Sequence, residues 1–165
     1  LEFRRVLFRS TPRYQVSIIE VAWGVGMLAG GAILGIKKLQ ISKVILINTM
    51  YILLGLSFAL SGRLPESGFY AFMVLTFLGG VSMTVYSSAF MVILQTTVEP
   101  SAQGRVFSFY GSISLVPSIT GLLFTGFLAK QTGVPDAFLI AGILIAVLGI
   151  VSFFIPAIRH QISES

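Results

Sequence analysis

The chain has 165 residues, of which 55% are hydrophobic and 10% are charged, whereas soluble domains carry about 25% charged residues. A soluble domain of this size cannot bury so much apolar material in one core, so the composition predicts an integral membrane protein. The net charge of +5 comes from basic residues scattered between apolar runs, which excludes the basic patch that nucleic-acid binding requires. There are no cysteines, which excludes disulfides and thiolate metal sites.

The first ten residues, LEFRRVLFRS, contain no apolar run long enough for a signal peptide. Their Glu-Phe pair is what a GAATTC restriction site encodes in frame. We therefore interpret residues 1–10 as a cloning or adapter scar, with a native basic loop as the alternative.

Five apolar stretches follow, each near or above the roughly 20 residues that a helix needs to cross a bilayer. The third is longer than a span requires, and none shows the period-two alternation of a membrane β-barrel. The sequence predicts an all-α membrane protein, a polytopic transmembrane helix bundle over residues 11–158 with a tail at 159–165. The predicted spans are 16–36, 44–61, 68–97, 106–129 and 137–158.

The connectors between the spans are too short to hold a soluble domain, and their basic residues are distributed unevenly. The first and third connectors and the tail hold Lys37, Lys38, Lys43, Arg105 and Arg159, while the second and fourth hold Arg63 and Lys130. The positive-inside rule therefore predicts a cytoplasmic C-terminus. Five spans then put the N-terminus outside, and one preceding helix would restore a cytoplasmic start.

Glycines recur at a spacing of four in the first span, where Gly26 precedes Gly30 and Gly31 precedes Gly35. This spacing puts small residues on one helix face and lets a neighbouring backbone approach closely in lipid. Two interpretations stay open: simple packing within a bundle, or an interface that slides during transport. The fourth span carries a weaker echo at Gly121.

Glu20 is the acidic residue that falls clearly inside a predicted span. It lies about four residues into the helix, roughly 6 Å along its axis. A carboxylate at that depth is costly unless it faces water, a partner or a proton, which makes it a candidate for the substrate or proton pathway. The alternative is that Glu20 only caps the start of the helix.

Further pathway candidates come from polar residues in the second and third spans. Thr84, Ser88 and Gln95 share one helical face and could line an aqueous cavity, with Asn48 and Tyr51 of the second span as neighbours. A packing role is the alternative, because hydroxyls in helices also bond to local carbonyls. Trp23 alone does not define a drug pocket.

The stretch EPSAQGRVFSFYGSISLVPSITG contains the residues expected to matter for conformational change. Pro100 cannot continue the third helix, Gly104 permits a tight turn, and Arg105 can pair with a carboxylate or a helix C-terminus. Pro117 interrupts the hydrogen bonding of the fourth span and allows a kink. Since no Walker, HExxH or GxSxG motif is found, the sequence predicts neither an enzyme nor a metal or cofactor site.

The same stretch resembles the major facilitator superfamily, in particular its macrolide-efflux type of drug exporter and the related siderophore exporters. In that family a P-x-x-x-G-R-V turn joins helices ten and eleven, here carried by Pro100, Gly104 and Arg105, with Gln103 where many members have arginine. The span that ends at Gly35 looks like helix eight with its cytoplasmic loop. The five spans thus resemble helices 8–12 of twelve.

The resemblance implies a proton-coupled exporter of amphipathic compounds in the bacterial plasma membrane, working by alternating access between two six-helix bundles. Its partners would be a small-molecule substrate, the coupling proton, the lipid bilayer and a missing N-terminal half. Export of a siderophore or other metabolite is the first alternative. A non-transporting scaffold subunit, complete at five spans, is the second.

Overall fold

The computed structural model describes residues 13–36, 42–65 and 67–153. Within these ranges the chain forms five helices, each long and apolar enough to cross a membrane, which confirms the predicted fold class. The interpretations of residues 1–10 and of the tail at 159–165 concern parts of the chain outside the described residues. The helices are α1 (Arg13–Ile36), α2 (Lys43–Ser61), α3 (Phe69–Thr97), α4 (Gln103–Thr132) and α5 (Val134–Ser152).

The helices extend past several of the predicted apolar stretches. Helix α1 begins at Arg13, three residues before the predicted 16–36, and α4 covers 103–132 rather than 106–129. Hydropathy marks the apolar part of a span, while backbone hydrogen bonding continues into polar residues at its ends. The sequence predicted an overlong span only for α3, whereas both α3 and α4 exceed the length that a bilayer requires, with 29 and 30 residues.

Gly133 separates α4 from α5 without an intervening loop. Its φ of +91° lies in the region that favours glycine, and its N–H donates to the carbonyl of Ala129 over 3.0 Å. Val134 then begins α5 directly, with Pro135 in its first turn. This junction lets two spanning helices follow one another through a single residue.

Four helices pack side by side in the order α1, α3, α2, α5, and α4 lies outside this row with weak contacts to α5. Helices α1 and α3 run parallel, since Trp23 meets Gly79 and Gly30 meets Val81. Helices α2 and α5 run antiparallel, since Gly62 after the end of α2 lies against Leu139 near the start of α5. We call α1, α3, α2 and α5 the four-helix row.

Small residues, rather than large apolar ones, occupy the interior of the row. Large apolar side chains such as Leu28 and Leu122 are about three-quarters exposed and face the surroundings of the bundle. Because lipid is as apolar as leucine, helices in a membrane associate by close packing instead of hydrophobic exclusion. The buried side chains are accordingly short or polar in most cases: Asn48, Leu54, Ser57, Ser82, Val85, Ala89, Ala137 and Ala146.

Glycines form two close helix–helix contacts. At the α1–α3 interface a Cβ on Gly26 would overlap the carbonyl of Phe77, and one on Gly30 would lie 2.8 Å from the carbonyl oxygen of Val81. At the α2–α5 interface a Cβ on Gly55 would lie 2.5 Å from the amide nitrogen of Ala146. Backbones therefore touch directly in both places, which only glycine permits.

Candidate functional site

An apolar cavity of about 360 Å³ opens between the four helices of the row. It lies at the end of the bundle where α2 ends and where α3 and α5 begin, and the early part of α1 closes its fourth side. Its volume falls within the roughly 300–1,000 Å³ of small-molecule sites. The lining residues are Ile19, Glu20, Trp23, Ser57, Phe58, Ser61, Phe72, Leu75, Thr76, Gly79 and Phe138.

Four aromatic rings from four different helices form a connected chain along the cavity. The ring centroids of Trp23 and Phe58 are 6.5 Å apart, those of Phe58 and Phe138 are 5.7 Å apart, and those of Phe138 and Phe72 are 6.4 Å apart. These separations are near or within the range of favourable aromatic pairs. Trp23, which alone does not define a pocket, is accompanied in this cavity by three phenylalanines.

The hydroxyl groups in the cavity wall donate hydrogen bonds to backbone carbonyls of their own helices. Ser57 donates to the carbonyl of Leu53 over 2.9 Å, Ser61 to that of Ser57 over 2.7 Å, and Thr76 to that of Phe72 over 2.8 Å. Each hydroxyl proton is thus used within its own helix. The wall is almost wholly apolar, and Glu20 is the one ionisable residue that lines it.

Glu20 lies at the rim of this cavity with an exposed side chain. Because α1 already extends back to Arg13, Glu20 is seven residues into the helix, about 10 Å along its axis at 1.5 Å per residue. Stabilisation by a helix dipole falls off within the first turn, so the capping alternative does not fit this position. Glu20 and Trp23 are three residues apart and share one face of α1.

None of the other predicted pathway residues lines this cavity. Tyr51 packs edge-on against Tyr86, with ring centroids 5.5 Å apart. Asn48 is 6% exposed and its buried Nδ2 has no hydrogen-bond partner among the described residues. Its backbone carbonyl faces Gly149 of α5. Asn48 and Tyr51 therefore lie on α2, where it meets α5 and α3.

Thr84 lies instead on the side of α3 that faces α1. Its Cβ would be 3.2 Å from a Cβ on Gly30, and its buried Oγ1 has no partner among the described residues. Ser88 is half-buried, and Gln95 is exposed near the end of α3. Thr84 therefore faces α1, whereas Asn48 lies against α5 and Tyr51 packs on Tyr86 of α3.

The residues predicted to matter for conformational change fall into two groups. Gly26 and Gly30 lie in the α1–α3 interface, whereas Gly35, Gly104 and Gly121 have no described atom within 4 Å of a Cβ. Helix α4 continues through Pro117 without a break in its helical structure, and the proline is exposed.

The turn between α3 and α4 uses a residue that the sequence analysis did not select. Gln103 donates from Nε2 to the carbonyls of Gln95 and Val98, over 3.0 and 3.3 Å, and so satisfies the end of α3. Pro100 and Arg105 are exposed on either side. The side chain of Gln103 thus caps the end of α3, while pairing of Arg105 with a carboxylate or a helix C-terminus stays a prediction.

Helix α4 has no buried residue, yet it has two different sides. Five small residues share one side at a spacing of three or four, while the opposite side carries mostly large apolar residues, with Thr120 among them. We call the first side the small face of α4: Gly111, Ser114, Ser118, Gly121 and Thr125. The opposite side carries Phe109, Val116, Leu123 and Phe127.

Sequence reasoning missed the cavity aromatics Phe58, Phe72 and Phe138. A weak signal exists in α3, where Phe72, Thr76 and Gly79 follow the spacing of one helical face. Nothing in the sequence links that face to Phe58 and Phe138 on α2 and α5. No group of three metal-ligating side chains is present in the part of the chain that the structure describes.

Comparison with known proteins places these observations in a family. Residues 10–165 match the model of the Major Facilitator Superfamily. The chain is 36% identical to Macrolide efflux protein A of Streptococcus pyogenes over 152 residues, which cover 92% of this chain and 37% of that protein. No solved structure matches the chain significantly.

Two other curated proteins show the same pattern of coverage. Macrolide efflux protein A of Enterococcus faecalis is 36% identical over 115 residues, 70% of this chain and 35% of that protein. Multidrug efflux pump Tap of Mycolicibacterium fortuitum is 26% identical over 146 residues, 86% of this chain and 35% of that protein. The chain therefore spans a little over a third of the length of the curated relatives it matches.

Proposed function

This chain belongs to the major facilitator superfamily, and on that basis we propose that it forms the C-terminal part of a transporter that exports amphipathic drugs of the macrolide type. We further propose that export is coupled to protons and works by alternating access together with an N-terminal helix bundle. Two relatives carry macrolide efflux in their names and a third is named a multidrug pump, which supports this cargo class.

The observation that carries the proposal is the small face of α4. A helix surrounded by lipid on all sides has no use for Ser114, Ser118 and Thr125 along one side, since polar groups in hydrocarbon cost free energy. The hydroxyls of Ser118 and Thr125 donate to carbonyls of their own helix, which lowers this cost without removing the side's polarity. We propose that this side lines the pathway between the two bundles.

The orientation follows from the uneven charge of the connectors. Lys43 at the start of α2 and Arg105 near the start of α4 share one end of the bundle, which we propose is the cytoplasmic end, together with the C-terminus. The cavity beside Glu20 then lies in the outer half of the bacterial plasma membrane. Arg63 and Lys130 are at that outer end.

A pair of substitutions on opposite sides of α4 tests the pathway. In the complete transporter, Ser118→Leu puts a bulky side chain on the small face, and we expect macrolide export per molecule to fall by about tenfold, a barrier of about 1.4 kcal/mol. Val116→Leu adds volume on the opposite side and should leave export unchanged. The measurement is drug efflux from energised cells, divided by transporter abundance in the membrane. Equal export by both variants would contradict a pathway along the small face.

Glu20 is the residue of this chain that we propose contacts the proton or a cationic cargo. Glu20→Gln keeps the size and hydrogen-bonding capacity but cannot ionise, so export should fall while membrane abundance stays the same. Glu20→Asp should keep part of the activity if the charge matters more than its reach. Drug efflux is measured at several external pH values, because a residue that only supports the structure should leave the pH dependence of export unchanged. Unaltered efflux and pH dependence in Glu20→Gln would confine proton coupling to the other half of the transporter.

A further inference from the structure

We propose that Gln103 is a positioning residue that fastens the end of α3 to the start of α4, so that these two helix ends move as one rigid hairpin. Bending of α4 during transport is then confined to the part of the helix beyond Tyr110. The proposal rests on the proposed export function for its consequence in transport, whereas the rigidity of the hairpin is measured without export.

The side-chain amide of Gln103 provides the first contact of the hairpin. Gln103 is the first residue of α4, and its Nε2 lies 3.0 Å from the carbonyl oxygen of Gln95 and 3.3 Å from that of Val98. An amide nitrogen carries two protons, so both are donated to carbonyls on the other side of the turn. Val98 is extended, with φ −93° and ψ 131°, which ends α3 and leaves its last carbonyls short of intrahelical donors. A side chain of α4 therefore supplies donors that the end of α3 lacks.

Two aromatic rings provide the second contact. The ring centroids of Phe90 in α3 and Tyr110 in α4 are 5.3 Å apart, within the range of favourable aromatic pairs. Gln103 and Tyr110 lie two turns apart on the same side of α4, about 10 Å along its axis. Because the two contacts lie at different heights, α4 cannot pivot about one of them without breaking the other.

Beyond Tyr110 the support of α4 ends. A Cβ on Gly111 or Gly121 would have no described atom within 4 Å, and α4 buries no residue along its length. Pro117 has no amide proton, so it cannot donate to the carbonyl four residues earlier. At its other end α4 joins α5 through the single residue Gly133. Helix α4 is thus held at both ends and has the least support around Pro117.

The position of the hairpin gives it a consequence for transport. The small face of α4 begins at Gly111, directly after the ring contact of Tyr110. Bending beyond Tyr110 therefore moves the small face relative to α3 and leaves the turn between the two helices in place. Gln103 acts on the pathway through the position of α4 and is given no contact with cargo.

The experiment measures distances between pairs of nitroxide labels in the complete transporter in lipid nanodiscs, after any cysteines outside this chain have been replaced. This chain contains no cysteine, so the labels attach to it only at introduced positions. The inner pair, Val92→Cys with Phe109→Cys, spans the hairpin. The outer pair, Val92→Cys with Leu123→Cys, spans the part of α4 beyond Pro117. All three labelled positions are exposed.

We expect a narrow inner distance that is the same with and without macrolide, and an outer distance that changes when the drug is added. Gln103→Met has no donor and Gln103→Glu only accepts hydrogen bonds, so each should broaden the inner distance distribution about twofold. Gln103→Arg keeps donors at this position and should retain the narrow distribution. Gln131→Glu is the matched control at the exposed other end of α4 and should leave both distances unchanged.

Export kinetics separate positioning from mere stability. Gln103→Met should lower the maximal rate of macrolide export per molecule by about threefold, the effect of one lost hydrogen bond. The KM for the drug should stay the same, because the residue does not contact cargo. Gln103→Arg should keep the rate of the unmodified transporter, whereas a role in stability alone would change membrane abundance and leave the rate per molecule unaltered.

Four results would overturn the proposal. An inner distribution that stays narrow in Gln103→Met would show that the amide does not hold the hairpin, and broadening in Gln103→Glu alone would then reflect repulsion from Glu99. Equal broadening in Gln103→Arg would show that donors are not what this position supplies. An outer distance that stays constant during export would mean that α4 moves as one piece. A broadened hairpin with an unchanged maximal rate would contradict the positioning role. The expected inner distances in a transporter that exports no macrolide would contradict the proposed function alone.

Discussion

The four-helix row and α4 are built from similar residues but differ in what surrounds them. Both contain several glycines and hydroxyl side chains within long apolar helices. In the row, Gly26, Gly55 and Gly142 each touch the backbone of a neighbouring helix. In α4, neither Gly121 nor Gly126 has a described atom within 4 Å of a Cβ. Glycine content alone therefore does not identify a helix interface, because an interface also requires a neighbouring helix that packs against the glycines.

Mean hydropathy differs between the two regions. Helix α5 has the highest mean hydropathy of the five and takes part in a close interface, while α4 has the lowest and buries nothing. The hydrophobic effect in water would give the same order, with the most apolar helix buried first, so this order by itself does not distinguish lipid from water. In lipid the least apolar helix is the one that gains most from leaving the hydrocarbon, which supports a polar pathway along α4.

The largest effect is expected for Gly142→Ala in the α2–α5 interface. The new Cβ would overlap the amide of Ala59 and lie 2.6 Å from the carbonyl oxygen of Gly55, so two backbone groups oppose it. Overpacking of this kind costs about 1–3 kcal/mol, and backbone atoms cannot rotate away, which favours the upper end of that range. Thermal unfolding of the complete transporter in nanodiscs measures the loss.

The matched control for this change is Gly126→Ala in α4, where the described surroundings are open. It should leave the unfolding temperature unchanged within the error of the measurement. A Gly142→Ala variant as stable as this control would show that α2 and α5 separate without cost, and the contrast between the row and α4 would then be wrong.

A smaller effect is expected for Gly26→Ala in the α1–α3 interface. Its Cβ would overlap one peptide unit, that of Phe77, and α1 is the end helix of the row and can shift outward. We expect a loss of about 1–2 kcal/mol in unfolding free energy. Gly35→Ala, with no described atom within 4 Å, serves as the control.

The same variant separates the two interpretations of the glycines in α1. If the interface only packs, Gly26→Ala should lower stability and leave export per molecule unchanged. If α1 slides along α3 during transport, export per molecule should fall even at a temperature where the variant is fully folded. A variant that loses neither stability nor export would contradict both interpretations.

Much of the fold could be predicted from the sequence, because spans in lipid are marked by long apolar runs. The spacing of Gly26 and Gly30 also indicated a close approach on one helix face. The α2–α5 interface was missed because Gly55 on one helix meets Gly142 on another, far along the chain, and no local spacing relates them. Which distant helices pack together depends on the tertiary fold, and the residue periodicity within one helix carries no information about it.

The candidate site could be predicted only in part for the same reason. Glu20 stood out because a carboxylate inside a span is rare, and the structure places it at a cavity rim. The aromatic rings did not stand out, because phenylalanine is ordinary in a membrane helix and the four rings come from four helices. Thr84 was grouped with Asn48 because both are polar. However, α3 packs between α1 and α2, and Thr84 lies on the side of α3 that faces α1.

The smallest effect is expected for Gly121→Ala on the small face of α4. This variant tests whether the face borders a pathway or packs against a second helix bundle. If the face lines a water-filled pathway, an added methyl group meets no backbone, and the higher helix propensity of alanine stabilises α4 by up to about 1 kcal/mol. If the face instead packs tightly on a second bundle, the same methyl group should cost about 1–3 kcal/mol, as in the α2–α5 interface. We expect the first outcome, with export retained, because hydroxyls at Ser118 and Thr125 alternate with glycine along this side. Unfolding temperature and macrolide export of the complete transporter, measured beside Ser118→Leu, distinguish the two: a loss of stability in Gly121→Ala would mean that α4 is an interface helix, and the pathway would then lie along another side of the bundle.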